Sequence, residues 1–528
     1  MALAIRHLLC WITSSMLTPR YLVGFTGHRS GYDENLIRPA LSKVLAEFKA
    51  RATAVGGQIE LYASIAEGSD TLCVEAAREL GLPVHLLLPL EEAEFEKDFS
   101  SPAAWKRSQA QLAIARQRPG RDSEHLVSGE ATRPECYFNQ AIHMLNAVDI
   151  VIAVWDGQPS RGLGGTAEVI AQAKEVGIPV VHIATVDGAV TGIEGLDACF
   201  QPDEIILELN QMMQHSGTPC VAGEVSPDGL QKCLDHIAVV EAGRFRPSLV
   251  RIISLHGIAA LLAAIVTYHV DKEHWFYHNR WIFTATELVL VLSALWMTIR
   301  LHQKHTQESW VHCRFACELV RGLRASVPVV DPLHPSVTRH DPKWRRFALS
   351  VGLLVLEHQH SHDPRVLRDD YLSARLGDKH AESQILHYQA KQPSATRWWN
   401  FTGFVGTWSA RLAPIFVLLS LLNKFSDRWN PGHGWHLERF FQGWVMVVLL
   451  PIALPLLAGV ASGIRQALDA GRRKERYPQM VARLTEIKKA LPGLQTASSI
   501  RRTIARSEEI LLDELIEWQL AVKNTGAH

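Results

Sequence analysis

The sequence predicts an α/β domain with a Rossmann-like, doubly wound parallel sheet. An all-α membrane region should follow it, with about four transmembrane helices and further helices in the cytosol. Three observations carry this. Short β-branched apolar runs alternate with helix-length segments over the first 245 residues. The run 149–155 (DIVIAVW) ends in a glycine cluster that opens an Ala-rich helical stretch. Past residue 250 come four apolar runs of 19 to 21 residues, nearly free of charge.

The elements can be justified in order. Residues 21–25 (YLVGF) form a strand, and 35–51 a helix through Leu36, Leu41, Val44, Leu45 and Phe48. A second strand covers 59–62, ending near Ser64, and a helix follows Gly68-Ser69-Asp70. Residues 83–88 (PVHLLL) are the third strand. A helix over 139–148 leads into the strand at 149–155, another covers 165–176, and 179–184 (PVVHIA) is a further strand. Residues 91–133 interrupt this alternation with a run of Glu and Asp followed by Lys and Arg, a charged insertion that reads as a surface excursion or a lid. Arg133, Tyr137 and Asn139, just before the 149–155 strand, can reach a pocket from its rim.

Composition sets loose bounds. The 528 residues suffice for two or three domains, and 54 basic against 54 acidic residues give no bulk attraction to nucleic acid. Eight scattered cysteines with no CxxC pair read as reduced intracellular thiols. Residues 8–17 (LLCWITSSML) look like a short signal core but lack a clear cleavage site, so an uncleaved leader or an extended start is expected.

Parallel sheets bind ligands at the carboxyl ends of their strands. Three turns lie there: Gly24-Phe25-Thr26-Gly27-His28-Arg29, Ser64-Ile65-Ala66-Glu67-Gly68-Ser69-Asp70, and Asp156 with Gly164-Gly165-Thr166-Ala167-Glu168. Each joins small residues, which permit close backbone approach, to ionisable groups. Arg29 can fork onto a phosphate and Glu168 can accept both hydroxyls of a ribose. Asp70 either meets the ligand or caps its own helix, and a turn histidine such as His28 more often bonds locally. Neither a Walker A motif nor GxGxxG occurs.

Taken together, GFTGHR, SIAEGSD and VWDG…GLGGTAE, each after its strand, resemble the SLOG superfamily. That group includes the lonely-guy phosphoribohydrolases, DprA, and nucleotide-sensing domains of bacterial defence systems. The resemblance covers roughly residues 20–210. The hydrolases carry PGGxGTxxE; here the proline is missing and the spacing is altered (RGLGGTAE), which points to sensing, with Glu168 at the position of the motif's glutamate.

The apolar runs are 252–270, 281–299, 404–422 and 444–464. Their polar exceptions are His256, Glu287 and Arg411, which either line a path through the membrane or pair between helices and snorkel. Connections 270–281 and 424–440 hold few basic residues, whereas 300–399 and the tail after 464 hold many. The positive-inside rule then places the N-terminal domain, the middle segment and the C-terminus in the cytosol of a multi-pass inner-membrane protein. The helical segment WVHCRFACELVRGLR after the first hairpin, with Arg314 and Glu318 spaced to pair, resembles SLATT domains, two-span modules associated with SLOG domains.

The expected organisation is a SLOG-like domain at 20–245, a first hairpin at 246–302, a helical segment at 303–398, a second hairpin at 399–466 and C-terminal helices at 467–528. The combined resemblance implies a homo-oligomeric membrane effector of antiphage defence. Its ligand would be a nucleotide-derived second messenger made by a partner enzyme, an ADP-ribose derivative or a cyclic oligonucleotide, with no cofactor, no metal and no catalytic residue. The competing expectation is a membrane-anchored nucleotide N-glycosidase with Glu168 and Arg29 in catalysis.

Overall fold

The computed structural model describes residues 16–118, 121–127, 132–160, 162–216, 225–266, 279–303, 305–329, 342–358, 363–378, 383–429 and 441–525. Most of the leader-like segment, most of the 270–281 connection and most of the 424–440 connection lie outside them. The chain divides into two compact units that interleave along the sequence. One comprises residues 1–233, 317–367 and 496–512, the other 234–316, 368–495 and 513–528.

The first unit is built on a sheet whose strands are β1 (Arg20–Gly27), β2 (Gln58–Ser64), β3 (Val84–Leu88), β4 (Ser123–Leu126), β5 (Ile150–Trp155), β6 (Val180–Ala184) and β7 (Val190–Thr191). Their order is β4-β3-β2-β1-β5-β6-β7, with every neighbouring pair parallel except β6 with β7. The expected parallel-dominated α/β sheet is therefore present. Strand order reverses between β1 and β5, which opens a crevice at their carboxyl ends.

Helices α1 (Glu34–Ala54), α2 (Ser69–Glu79), α3 (Glu92–Phe95), α4 (Pro102–Gln117), α5 (Arg133–Ala147), α6 (Thr166–Glu175) and α7 (Glu204–His215) connect the strands or follow them. Alternate strand residues feed two cores, as the two-residue period requires. On one side Val23, Phe25, Leu61, Ala63, Ile152 and Val154 pack with α1, α2 and Phe95. On the other, Leu22, Tyr62, Leu87 and Val151 pack with Met144 and Leu145 of α5 and Val169 of α6. The segment 91–133, expected as a charged insertion, includes a strand: β4 extends the sheet by pairing with β3.

The second core also takes in Leu349 and Leu353, which arrive from far along the chain. They belong to an apolar helix, Arg345–Glu357, whose Ser350 Oγ accepts from the Arg20 N–H at 3.0 Å. Arg345 bonds Asp149 at 2.7 Å, and Arg20 bridges buried Glu60 and Glu357. Burial alone would raise the Glu60 carboxyl, but the His85 hydrogen bond and the Arg20 charge hold it down to about 2.

Long helices dominate the second unit. In chain order the remaining helices are α8 (Pro227–Val266), α9 (Arg280–Gln303), α10 (Thr306–Ser326), α11 (Arg345–Glu357, described above), α12 (Pro364–Tyr371), α13 (Gln384–Trp429), α14 (Phe441–Trp444), α15 (Leu450–Ala467), α16 (Ala470–Ala490) and α17 (Ala497–Thr525). A π-helical turn, Val445–Leu449, joins α14 to α15. Among the described residues, four helices are long and apolar enough to cross a membrane, and at most 22% of any such stretch is buried in the protein. They overlap the four runs read from the sequence. Where these helices meet, small residues intervene. A side chain at Gly257 would stand 2.7 Å from Val460 Cγ2, and Gly463 lies against Ile253.

Candidate functional site

A cavity of about 620 Å³ opens at the switch point between β1 and β5. Phe25 to Arg29 line it from the end of β1, Ser64, Ala66 and Asp70 from the end of β2, and Trp155, Asp156, Gln158 to Ser160 and Gly162 to Thr166 from the end of β5. Arg133, Pro134, Tyr137, Gln140, Ala141 and Met144 of α5 close the remaining wall.

The three turns do meet, but not every residue in them faces the cavity. Thr26, Gly27, His28, Arg29, Ser64, Asp70, Asp156, Gly164, Gly165 and Thr166 line it. Gly24 instead packs against Val148 and Met144. The Glu67 carboxylate accepts from Ser100 N at 2.7 Å and from the Ser100 hydroxyl. Gly68 and Ser69 hold the first two turns together: Ser69 donates through N and Oγ to His28 O, and a side chain at Gly68 would stand 2.3 Å from Arg29 O. The Glu168 carboxylate accepts from Gly164 N at 2.6 Å, fixing a glycine at φ +78 whose Cβ would meet Phe138 N at 2.8 Å. These glycines are required first by close approaches within the chain.

Of the rim residues read from the sequence, Arg133 and Tyr137 line the cavity, and Gln140 does so in place of Asn139. Asp98 was not singled out. It accepts from the Tyr137 hydroxyl at 2.6 Å, and its place within an acidic run was the only sequence signal.

The site is polar with unused capacity. α2 and α6 start at Gly68 and Gly165, and neither N-terminus has a side-chain cap. First-turn N–H groups of α6 at Thr166 and Ala167 border the cavity, where they favour an anion. Asp70 and Ser64 are buried at 9% and 5% exposure, and Asp70 Oδ1 and Ser64 Oγ have no hydrogen-bond partner. Burial pushes the Asp70 carboxyl up to about 8, against the pull of Arg29 and the Gly27 N–H. His28 Nε2 lies 3.0 Å from Asp156 Oδ1, and its backbone N–H donates to Val154 O. The arrangement can hold an anion at a helix start and a hydroxyl or amine donor at Asp70 and Ser64. Among the described residues no group of three or more His, Cys, Asp or Glu is placed to hold a metal ion.

The membrane polar residues are separately placed. His256 Nδ1 lies 2.9 Å from Ile252 O within its own helix. Arg411 is exposed near the Trp408 ring, 6.0 Å from its centroid. Glu287 is half-buried on the side of α9 that carries fully buried Ala294, two turns further along.

No family model matches the chain, and no curated protein matches it.

Proposed function

We propose that the chain is a membrane effector of a bacterial antiphage defence system. In this reading its sheet unit is a SLOG-like sensor on the cytosolic side of the inner membrane. The sensor binds a nucleotide-derived second messenger, an ADP-ribose derivative or a cyclic oligonucleotide, supplied by a partner enzyme. Binding opens or permeabilises the bilayer through SLATT-like helices of a homo-oligomer.

The observation that carries this is the switch-point cavity. It combines an uncapped helix start, arginines and buried acceptors, in a chain with four membrane-length helices. A phosphate suits the α6 start, and Asp70 and Ser64 suit the hydroxyls or amines of a nucleoside. Four helices from one copy enclose little water, which favours an oligomer. Glu287, turned towards buried Ala294 rather than fully outward, is the polar residue assigned to the path. The ligand must bind the open state better than the closed one, since equal affinity shifts nothing.

The test uses purified full-length protein in liposomes loaded with self-quenched dye. A panel of ADP-ribose-derived and cyclic oligonucleotide signals should contain one that raises thermal stability and releases dye. Glu287→Leu should change the leak while leaving ligand affinity intact. Release of free base from a nucleotide, without leak, replaces this reading by the N-glycosidase.

A further inference from the structure

Both arginines on the cavity wall are already engaged by one acidic segment of the chain. Arg133 donates to Glu94 O at 2.7 Å and approaches Asp98 Oδ1 at 3.6 Å. Tyr137 donates to Asp98 Oδ2 at 2.6 Å, and Arg29 donates to Asp98 O at 3.1 Å. Arg29 also stands over the Tyr137 ring, 5.5 Å from its centroid. Phe95 anchors the segment: it is fully buried and packs edge-on to Phe99 and Trp105.

Resting on the nucleotide reading, we infer that Arg29, Arg133 and Tyr137 form a second anion subsite at the cavity mouth, that Asp98 occupies it in the unliganded protein, and that the ligand carries two phosphate groups. One phosphate meets the α6 start and the other replaces the Asp98 carboxylate.

The donor inventory supports this. A guanidinium has five N–H donors, more than Arg29 needs for the Asp98 carbonyl and its hydrogen bond with Tyr137. A carboxylate carries one negative charge and two oxygens. A terminal phosphomonoester carries about −1.5 to −2 and three acceptor oxygens, and planar guanidinium groups grip a phosphate by two parallel bonds. Asp98 is thus the weaker anion in a site suited to a stronger one. It can leave by rotating its own side chain while Phe95 stays seated. A monophosphate would satisfy the helix start and leave Asp98 in place.

Calorimetry on the full chain in detergent decides this, with AMP, ADP and adenosine 3′,5′-bisphosphate as probes. At least one of the two bisphosphorylated probes should bind about tenfold more tightly than AMP, the gain of one charge-assisted contact. Arg133→Gln should remove that advantage. Asp98→Asn keeps the shape and removes the competing charge, so it should widen the advantage by about threefold or more. Equal affinities for all three probes in the native protein and both variants would overturn the second subsite and leave the nucleotide reading standing. Absence of binding by every probe, with the protein folded by circular dichroism, would overturn the nucleotide reading and the subsite with it.

Discussion

In the sheet unit, Glu60 lies fully buried between Arg20 and His85, and every strand side chain of the two cores is shielded. In the helical unit the reverse holds. Phe404, Trp408, Ile415, Leu418, Leu422 and Phe425 stand exposed at four-three spacing along one side of α13, with Arg411 among them. The opposite side of that helix buries Thr402, Ser409, Ala413 and Asn423. The polarity of inside and outside is exchanged. For the first unit, water is the poor solvent for apolar atoms, so they go inside and any buried charge needs a partner. For the second, apolar side chains are at ease outside, and small residues let the helices approach. The difference teaches that the two units are built for different solvents, and it can be broken one residue at a time.

The largest effect should come from breaking the buried pair. Arg20→Met leaves Glu60 in the core without its strongest cation and removes the tie to Glu357, at a cost of about 3–5 kcal/mol. Arg411→Leu, on an exposed membrane-side stripe, should cost less than about 1 kcal/mol and can stabilise insertion. Hydrogen exchange on the full chain in detergent should show loss of protection in β1 and β2 for the first variant only. Equal losses in both would mean that the Arg20 network is not what holds the sheet.

Next in size come two glycines near the cavity, both in the left-handed region. Gly68 has φ +99 and its Cβ would stand 2.3 Å from Arg29 O; Gly157 has φ +78 and open space around it. Gly157→Ala meets only the conformational penalty, about 1–2 kcal/mol. Gly68→Ala adds a collision with a backbone that cannot step aside, so it should cost more and separate the first two turns of the site. Chemical denaturation ranks the two, and ligand affinity should fall only for the Gly68 variant.

Much of this contrast was legible in the sequence, because it lies in local patterns. The strands at 21–25 and 149–155 and the four apolar runs each state their environment in consecutive residues. β4 was not legible: Ser123-Glu124-His125-Leu126 is a polar edge strand with no apolar run to mark it. Nor was the role of α11. Its apolar character is evident, but that Leu349 and Leu353 complete the core begun at Leu22 is a contact across more than three hundred residues, which no local period encodes. In the site, the three turns could be found because glycines gather at strand ends. The direction of each carboxylate could not. Glu67 turns to Ser100 and Glu168 to Gly164, partners decided by loop geometry rather than by residue type.

A third effect, read from its dependence on pH, concerns two carboxyls that share burial but differ in company. Glu60 is drawn down to about 2 by His85 and Arg20, whereas Asp70 is pushed up to about 8 by burial, with Arg29 too weakly engaged to reverse it. An unfolded Asp titrates near pH 4. Between about 4 and 8 the folded chain therefore holds a proton on Asp70 that the unfolded chain releases. Folding binds that proton, so the Asp70 contribution to stability falls as pH rises through this window and levels above it. Glu60 acts with the opposite sign and over a lower range: its contribution is complete above its unfolded value and is lost only as pH falls towards 2. The two are separable because their windows scarcely overlap. Asp70→Asn stays neutral throughout, so its stability should match the native protein near pH 4, after a constant offset, and exceed it progressively up to pH 8. Denaturation midpoints of the full chain at pH 5, 6, 7 and 8 measure that divergence. A native slope that persists unchanged in the Asn variant would assign the proton to another group and remove the physical basis for treating Asp70 as a neutral carboxyl in the cavity wall, with Oδ1 unpartnered.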